Sequence, residues 1–165
     1  MSYAELGDLR LYYERGGEGE PELLFVHGWC CDHTAFQPQF DYFERMHTVT
    51  ALDLRGCGKS DCPESGYHIR DFADDLAQFC VQVAIEKPVV IGHSLGGMIA
   101  VELAARYPSF PRALVLVGPG PTTHSRRPSS SSTQPQTSSR APTAKRSAVF
   151  GPKTWGPATW NWPGG

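Results

Sequence analysis

Gly92-His93-Ser94-Leu95-Gly96 sets a hydroxyl between two glycines, directly after the apolar run Val89-Val90-Ile91 and directly before a helically spaced segment from about Leu95 to Arg106. A serine so placed is a candidate nucleophile. A strand that turns sharply into the helix packed on it leaves no room for bulky neighbours; Gly92 and Gly96 provide that room while the hydroxyl projects above the sheet. The helix start contributes the positive end of its dipole and a Leu95 N–H without an intrahelical acceptor, placed to bind an oxyanion developing beside Ser94. A second donor is required for that role. His27-Gly28-Trp29 follows the earlier apolar run Leu23-Leu24-Phe25-Val26, and the Trp29 backbone N–H stands at the spacing where the second donor is needed.

Other chemically able residues near these motifs read as structural. His27, one residue beyond a buried strand, is expected to hydrogen-bond a neighbouring loop. His93 is expected to pack, because strand alternation sends it to the side opposite Ser94. Asp53-Leu-Arg-Gly-Cys-Gly-Lys-Ser60 ends in Gly-Lys-Ser, yet the phosphate-loop pattern needs glycine at position 53, where this chain has Asp. What remains is a strand-to-loop transition held by Asp53 and Arg55, with Gly56 and Gly58 permitting a tight path.

The elements that must position these groups follow from periodicity. Leu9–Tyr13, Leu23–Val26, His47–Leu52, Val89–Ile91 and Ala113–Val117 are short apolar or β-branched runs bounded by turn residues, as strands are. Thr34–Phe43, Ile69–Val83 and Leu95–Arg106 carry apolar residues every third or fourth position, and Tyr107-Pro108 ends the last of them. Strands alternating with helices define an α/β class with a mostly parallel sheet and flanking helices. From about Pro121 the pattern stops. Of the last 45 residues 22 are Ser, Thr or Pro, so residues 1–120 are expected to form the core and residues 121–165 a low-complexity, disordered tail.

Composition narrows the class further. The chain is 165 residues with 40% hydrophobic content, enough for one core, and it has no apolar run approaching the roughly 18 residues that span a bilayer. The N-terminus lacks a secretory pattern, so a cytoplasmic location is expected. Residues 1–120 carry 17 acids against 9 bases and residues 121–165 carry 6 bases and no acid, a division hidden in the net charge of −2. The five cysteines, Cys30, Cys31, Cys57, Cys62 and Cys80, form no Cys-x-x-Cys pair and have no zinc-type histidine spacing; small buried or half-buried thiols are expected, with no metal and no cofactor.

His27-Gly28-Trp29, Asp53 to Ser60 and Gly92 to Gly97, in that order and spacing, resemble the α/β-hydrolase superfamily over roughly residues 1–120, the N-terminal half of such a fold. The resemblance implies Ser94 as nucleophile, Trp29 and Leu95 as oxyanion donors, and cleavage of an ester, thioester, amide or C–C bond of a small-molecule acyl substrate through an acyl-enzyme. No nucleic-acid or membrane partner is expected. Serine at the elbow separates the chain from relatives that use Asp there, the haloalkane dehalogenases and epoxide hydrolases.

The family's acid and histidine follow the nucleophile in chain order. After Ser94 this sequence has no Asp, one Glu (Glu102) and one His (His124). Glu102 is committed to the helix after the elbow, and His124 falls in the Ser/Pro-rich tail. The triad acid and histidine are therefore unidentified, and the chain is expected to be truncated and weakly active or inactive, a frameshift or mis-spliced exon after about Gly120 being favoured over a genuine disordered extension of a half-domain. A non-catalytic binding or scaffold protein of the same fold is the alternative.

Overall fold

The computed structural model describes residues 2–119; the tail and His124 lie outside them. Six strands form one sheet: β1 (Ser2–Leu6), β2 (Leu9–Gly16), β3 (Leu23–Val26), β4 (Val49–Leu52), β5 (Val89–His93) and β6 (Ala113–Val117), in the order β1-β2-β4-β3-β5-β6. The pairs β4–β3, β3–β5 and β5–β6 are parallel and the pairs β1–β2 and β2–β4 antiparallel. Helices α1 (Gln37–Phe43), α2 (Ile69–Gln82) and α3 (Leu95–Arg106) flank it, with a short 3-10 turn at His33–Phe36 leading into α1.

The central strands show why continuous apolar runs are needed here. In β3, Leu24 and Val26 enter one core, while Leu23 and Phe25 enter a second on the opposite face. β4 divides likewise, Leu52 to the first core and Val49 and Ala51 to the second. Strands covered on both faces cannot alternate with polar residues. The first core is built with α2 and α3: Phe72, Ala73, Leu76, Phe79 and Cys80 from one, and Ile99, Ala100 and Leu103 from the other. The second, smaller core rests on Phe36 and Phe40, which the 3-10 turn and α1 bring beneath Phe25.

Three details differ from the sequence expectation. β1 was not anticipated: it is a hairpin arm around Gly7-Asp8, where only Ala4 is fully buried and no apolar run announces it. The Thr34–Phe43 helix is divided at the Phe36–Gln37 junction, with Pro38 in the first turn of α1, where a proline's missing N–H costs nothing. Asp75, on the apolar side of α2, is buried and takes two hydrogen bonds of 2.5 Å each from the Arg55 guanidinium. Burial raises the Asp75 carboxyl above its ordinary range, a cost that Arg55 partly offsets.

Candidate active site

Ser94 occupies the turn from β5 into α3 with φ 50° and ψ −111°. Few non-glycine residues adopt such a backbone, and it persists only where surrounding contacts fix it, at a cost of about 1–3 kcal/mol. Three contacts do so. The Ser94 N–H donates to the Val117 carbonyl of β6 (2.9 Å), and the Ser94 carbonyl accepts from the N–H groups of Gly97 (3.0 Å) and Met98 (3.3 Å). The side chain remains half-exposed. A Cβ at Gly96 would overlap the carbonyl oxygens of Val26 and His27, so α3 sits directly on the end of β3. Leu95, the buried first residue of α3, has an N–H with no acceptor in the preceding turn of helix.

The His27-Gly28-Trp29 loop abuts this elbow. A Cβ at Gly28 would stand 2.8 Å from His93 Nδ1, so the two motifs meet backbone against side chain. Trp29 is half-buried in a turn closed by the Cys31 N–H donating to the Gly28 carbonyl (3.3 Å), and it packs on the first core. His93 is exposed rather than packed: it is the last residue of β5, beyond the reach of both cores.

His27 is fully buried and has the expected structural role. Its Nε2 accepts from the Leu54 N–H (3.1 Å), so Nδ1 carries the proton and donates to the Gly28 carbonyl (2.8 Å). A neutral ring satisfies both bonds, and burial drives its pKa below the ordinary histidine value. The unfolded chain then binds the proton more readily than the native one, so this contribution to stability is present above about pH 6.5 and is lost as pH falls below it. The urea midpoint should therefore drop between about pH 6.5 and 5, and His27→Gln, whose oxygen can still accept but cannot titrate, should flatten that drop; an unchanged slope would refute the assignment.

Asp53 is the hub of the third motif. Its carboxylate is completely buried and accepts from the His33 N–H (2.6 Å), His33 Nδ1 (2.7 Å) and the Lys59 N–H (2.8 Å), while its carbonyl accepts from the Ser60 hydroxyl (2.6 Å). The Ser60 oxygen in turn accepts from the Tyr12 N–H (2.9 Å). Arg55 leaves this loop to bind Asp75 and donates to the Gly66 carbonyl (2.6 Å). The structural reading of Asp53 and Arg55 therefore holds. His33, which no sequence pattern marked, bridges Asp53 to Glu14 (Nε2 to Oε1, 3.3 Å). Asp32, His33 and Asp53 stand close enough to approach one cation, but both Asp53 oxygens are already committed to N–H donors.

Among the described residues no side chain hydrogen-bonds the Ser94 hydroxyl. Glu102 lies eight residues along α3, about 12 Å up the axis. Cys30 and Cys62 are exposed, contrary to the expectation of buried thiols; all five cysteines are free. No helix of the described residues is long and apolar enough to cross a membrane.

An acutely turned, strained serine between a parallel strand and a helix, with a glycine loop from the neighbouring strand against it, defines a class, and sequence comparison agrees. The chain belongs to the alpha/beta hydrolase fold family, matching it over residues 21–155. It is 36% identical over 113 residues to the 2-(acetamidomethylene)succinate hydrolase of Mesorhizobium japonicum, covering 68% of this chain and 40% of that protein. With epoxide hydrolase 4 of Mus musculus it shares 35% identity over 112 residues, 66% of this chain and 31% of the other. Among solved structures, Est816, an N-acyl homoserine lactone degrading enzyme, superposes with a TM-score of 0.67 at 30% identity, over 70% of this chain and 44% of that one. An esterase from Exiguobacterium antarcticum gives 0.66 at 28% identity, again over 70% and 44%. The chain thus spans less than half the length of each of these relatives.

Proposed function

We propose that Ser94 is the nucleophile of a serine hydrolase acting on a small-molecule acyl compound, an ester, thioester, amide or C–C bond adjoining a carbonyl, and that the Trp29 and Leu95 N–H groups receive the oxyanion. The observation that carries this is the strained Ser94 backbone at the β5–α3 turn, held by Val117 and flanked by glycines that could not be larger. In the reaction the Ser94 oxygen attacks the acyl carbonyl, its proton passes to a base, the leaving group departs, and water releases the acyl group. The esterase and the lactone-degrading enzyme among the relatives favour carboxylic ester or lactone substrates.

Among the described residues no base is hydrogen-bonded to Ser94. His27 spends both nitrogens on backbone groups and His33 spends both on carboxylates. A serine without a base is a poor nucleophile near neutral pH, and loss of triad members costs on the order of 10⁴ to 10⁶ in turnover in a protease of known mechanism. The chain as written is accordingly weakly active or inactive, and the same observation favours a second reading, a non-catalytic binding or scaffold protein of this fold.

A fluorophosphonate probe with a short-chain p-nitrophenyl ester separates the two. The expected result is weak labelling that maps to Ser94 and disappears in Ser94→Ala, with only trace ester turnover. Labelling that survives Ser94→Ala would remove Ser94 as nucleophile, and no labelling at all would favour the binding reading. Robust turnover abolished by Ser94→Ala would instead reveal a base, to be sought first with His124→Ala.

A further inference from the structure

The loops that leave β3 and β4 are built alike. These strands are parallel neighbours in the register Val26 to Leu52, and two residues beyond each partner a tight turn begins. One runs Gly28-Trp29-Cys30-Cys31, closed by the Cys31 N–H on the Gly28 carbonyl; the other runs Leu54-Arg55-Gly56-Cys57, closed by the Cys57 N–H on the Leu54 carbonyl (2.9 Å). The third residue of each turn has positive φ, 56° at Cys30 and 71° at Gly56. His27 Nε2 on the Leu54 N–H holds the two loops together at their origin. Corresponding positions therefore pair Cys30 with Gly56 and Cys31 with Cys57. At the last paired residues, Val26 and Leu52, the strands stand roughly 4.8 Å apart, and turns that leave side by side from there bring the corresponding cysteines toward the approximately 4.4–6.8 Å between α-carbons that a disulfide spans.

We propose that Cys31 and Cys57 are a redox pair, closed to a disulfide by an oxidant of the peroxide class, which ties the loop carrying Trp29 to the loop anchored by Asp53. Both are half-buried free thiols, and Cys57 lies against the same core as Trp29.

The steps balance as follows. The Cys31 thiolate attacks a peroxide oxygen, breaking the O–O bond and giving a sulfenic acid and, after protonation, one water. The Cys57 sulfur then attacks the Cys31 sulfur, losing its proton and displacing the hydroxyl as a second water. Two thiols lose two electrons and the peroxide gains them. Burial pushes the Cys57 thiol up to about 12, so it stays protonated at neutral pH and must lose its proton as it attacks. The consequence for the oxyanion loop rests on the role proposed above for Trp29; the cross-link itself does not.

The test treats the reduced full chain with hydrogen peroxide, blocks residual thiols with iodoacetamide, and maps a non-reducing digest by mass spectrometry. A Cys31–Cys57 cross-linked peptide is expected, retained in Cys30→Ser and Cys62→Ser, lost in Cys31→Ser and Cys57→Ser, and forming faster as pH rises through the alkaline range. Far-UV circular dichroism confirms that each variant is folded, and alkylation of the wild-type chain before and after oxidation gives the same answer without a variant. A Cys30–Cys31 ring, a bond to Cys62, links only between chains, or over-oxidation with Cys57 still alkylable would each overturn the proposal. Serine labelling plays no part in this readout, so a failure of the hydrolase reading leaves the result interpretable.

Discussion

Asp53→Ala should cost about 3–5 kcal/mol, enough to leave a chain of this size largely unfolded, because it strips a buried acceptor from three N–H donors at once. The His33 N–H, His33 Nδ1 and the Lys59 N–H all converge on that carboxylate, and the two His33 donors are buried with it. Gly58, with φ 51°, brings its backbone so close that any Cβ would collide with the Asp53 oxygens, so the loop is built around this carboxylate. Asp53→Asn keeps the shape but turns an amide donor toward at least one N–H, and should fall between alanine and the parent. Chemical denaturation of the three chains would decide the matter; an alanine variant within about 1 kcal/mol of the parent would mean that water replaces the carboxylate, and the hub reading would be lost.

Gly96→Ala is the second large effect, expected at about 3 kcal/mol, the upper end of overpacking costs. The added methyl has no free direction, since the opposing atoms are the backbone carbonyls of Val26 and His27 rather than a flexible side chain. α3 must therefore lift off the end of β3, which carries Leu95 away from the His27-Gly28-Trp29 loop. The variant should lose stability and fluorophosphonate labelling together. Retained stability would contradict the close seating of the helix, and labelling retained in a destabilised but folded chain would mean that the seating does not position the elbow.

How much of this was legible beforehand depends on whether a signal is local. The elbow was, because two glycines, a preceding apolar run and a following helix are all within a few residues of Ser94. So were β3 and β5, since burial on both faces writes itself as uninterrupted Leu, Phe, Val and Ile. β1 was not, because a hairpin arm with one buried residue leaves no period to read. His33 was missed for a different reason: its meaning comes from Asp53, twenty positions on, and from Glu14 on another strand, and neither leaves a mark beside it. Asp75 could have been suspected as a carboxylate on the apolar side of α2, yet its partner Arg55 is known only once the loop after β4 is folded against that helix. The equivalence of the two cysteine-bearing turns likewise exists only in the register of β3 against β4.

The bond from the Ser94 N–H to Val117 has a consequence for timing. β6 pairs with β5 on one side, and Val115, Leu116 and Val117 are 46%, 40% and 46% exposed, far more than any residue of β3 or β4. Strands covered so thinly open locally at low free energy, well before the sheet as a whole gives way. Each such opening removes the acceptor that holds the elbow amide and lets the Ser94 backbone relax toward an ordinary conformation. For the nucleophile proposed at Ser94, the share of molecules that hold the strained conformation is then set by how firmly β6 stays paired with β5.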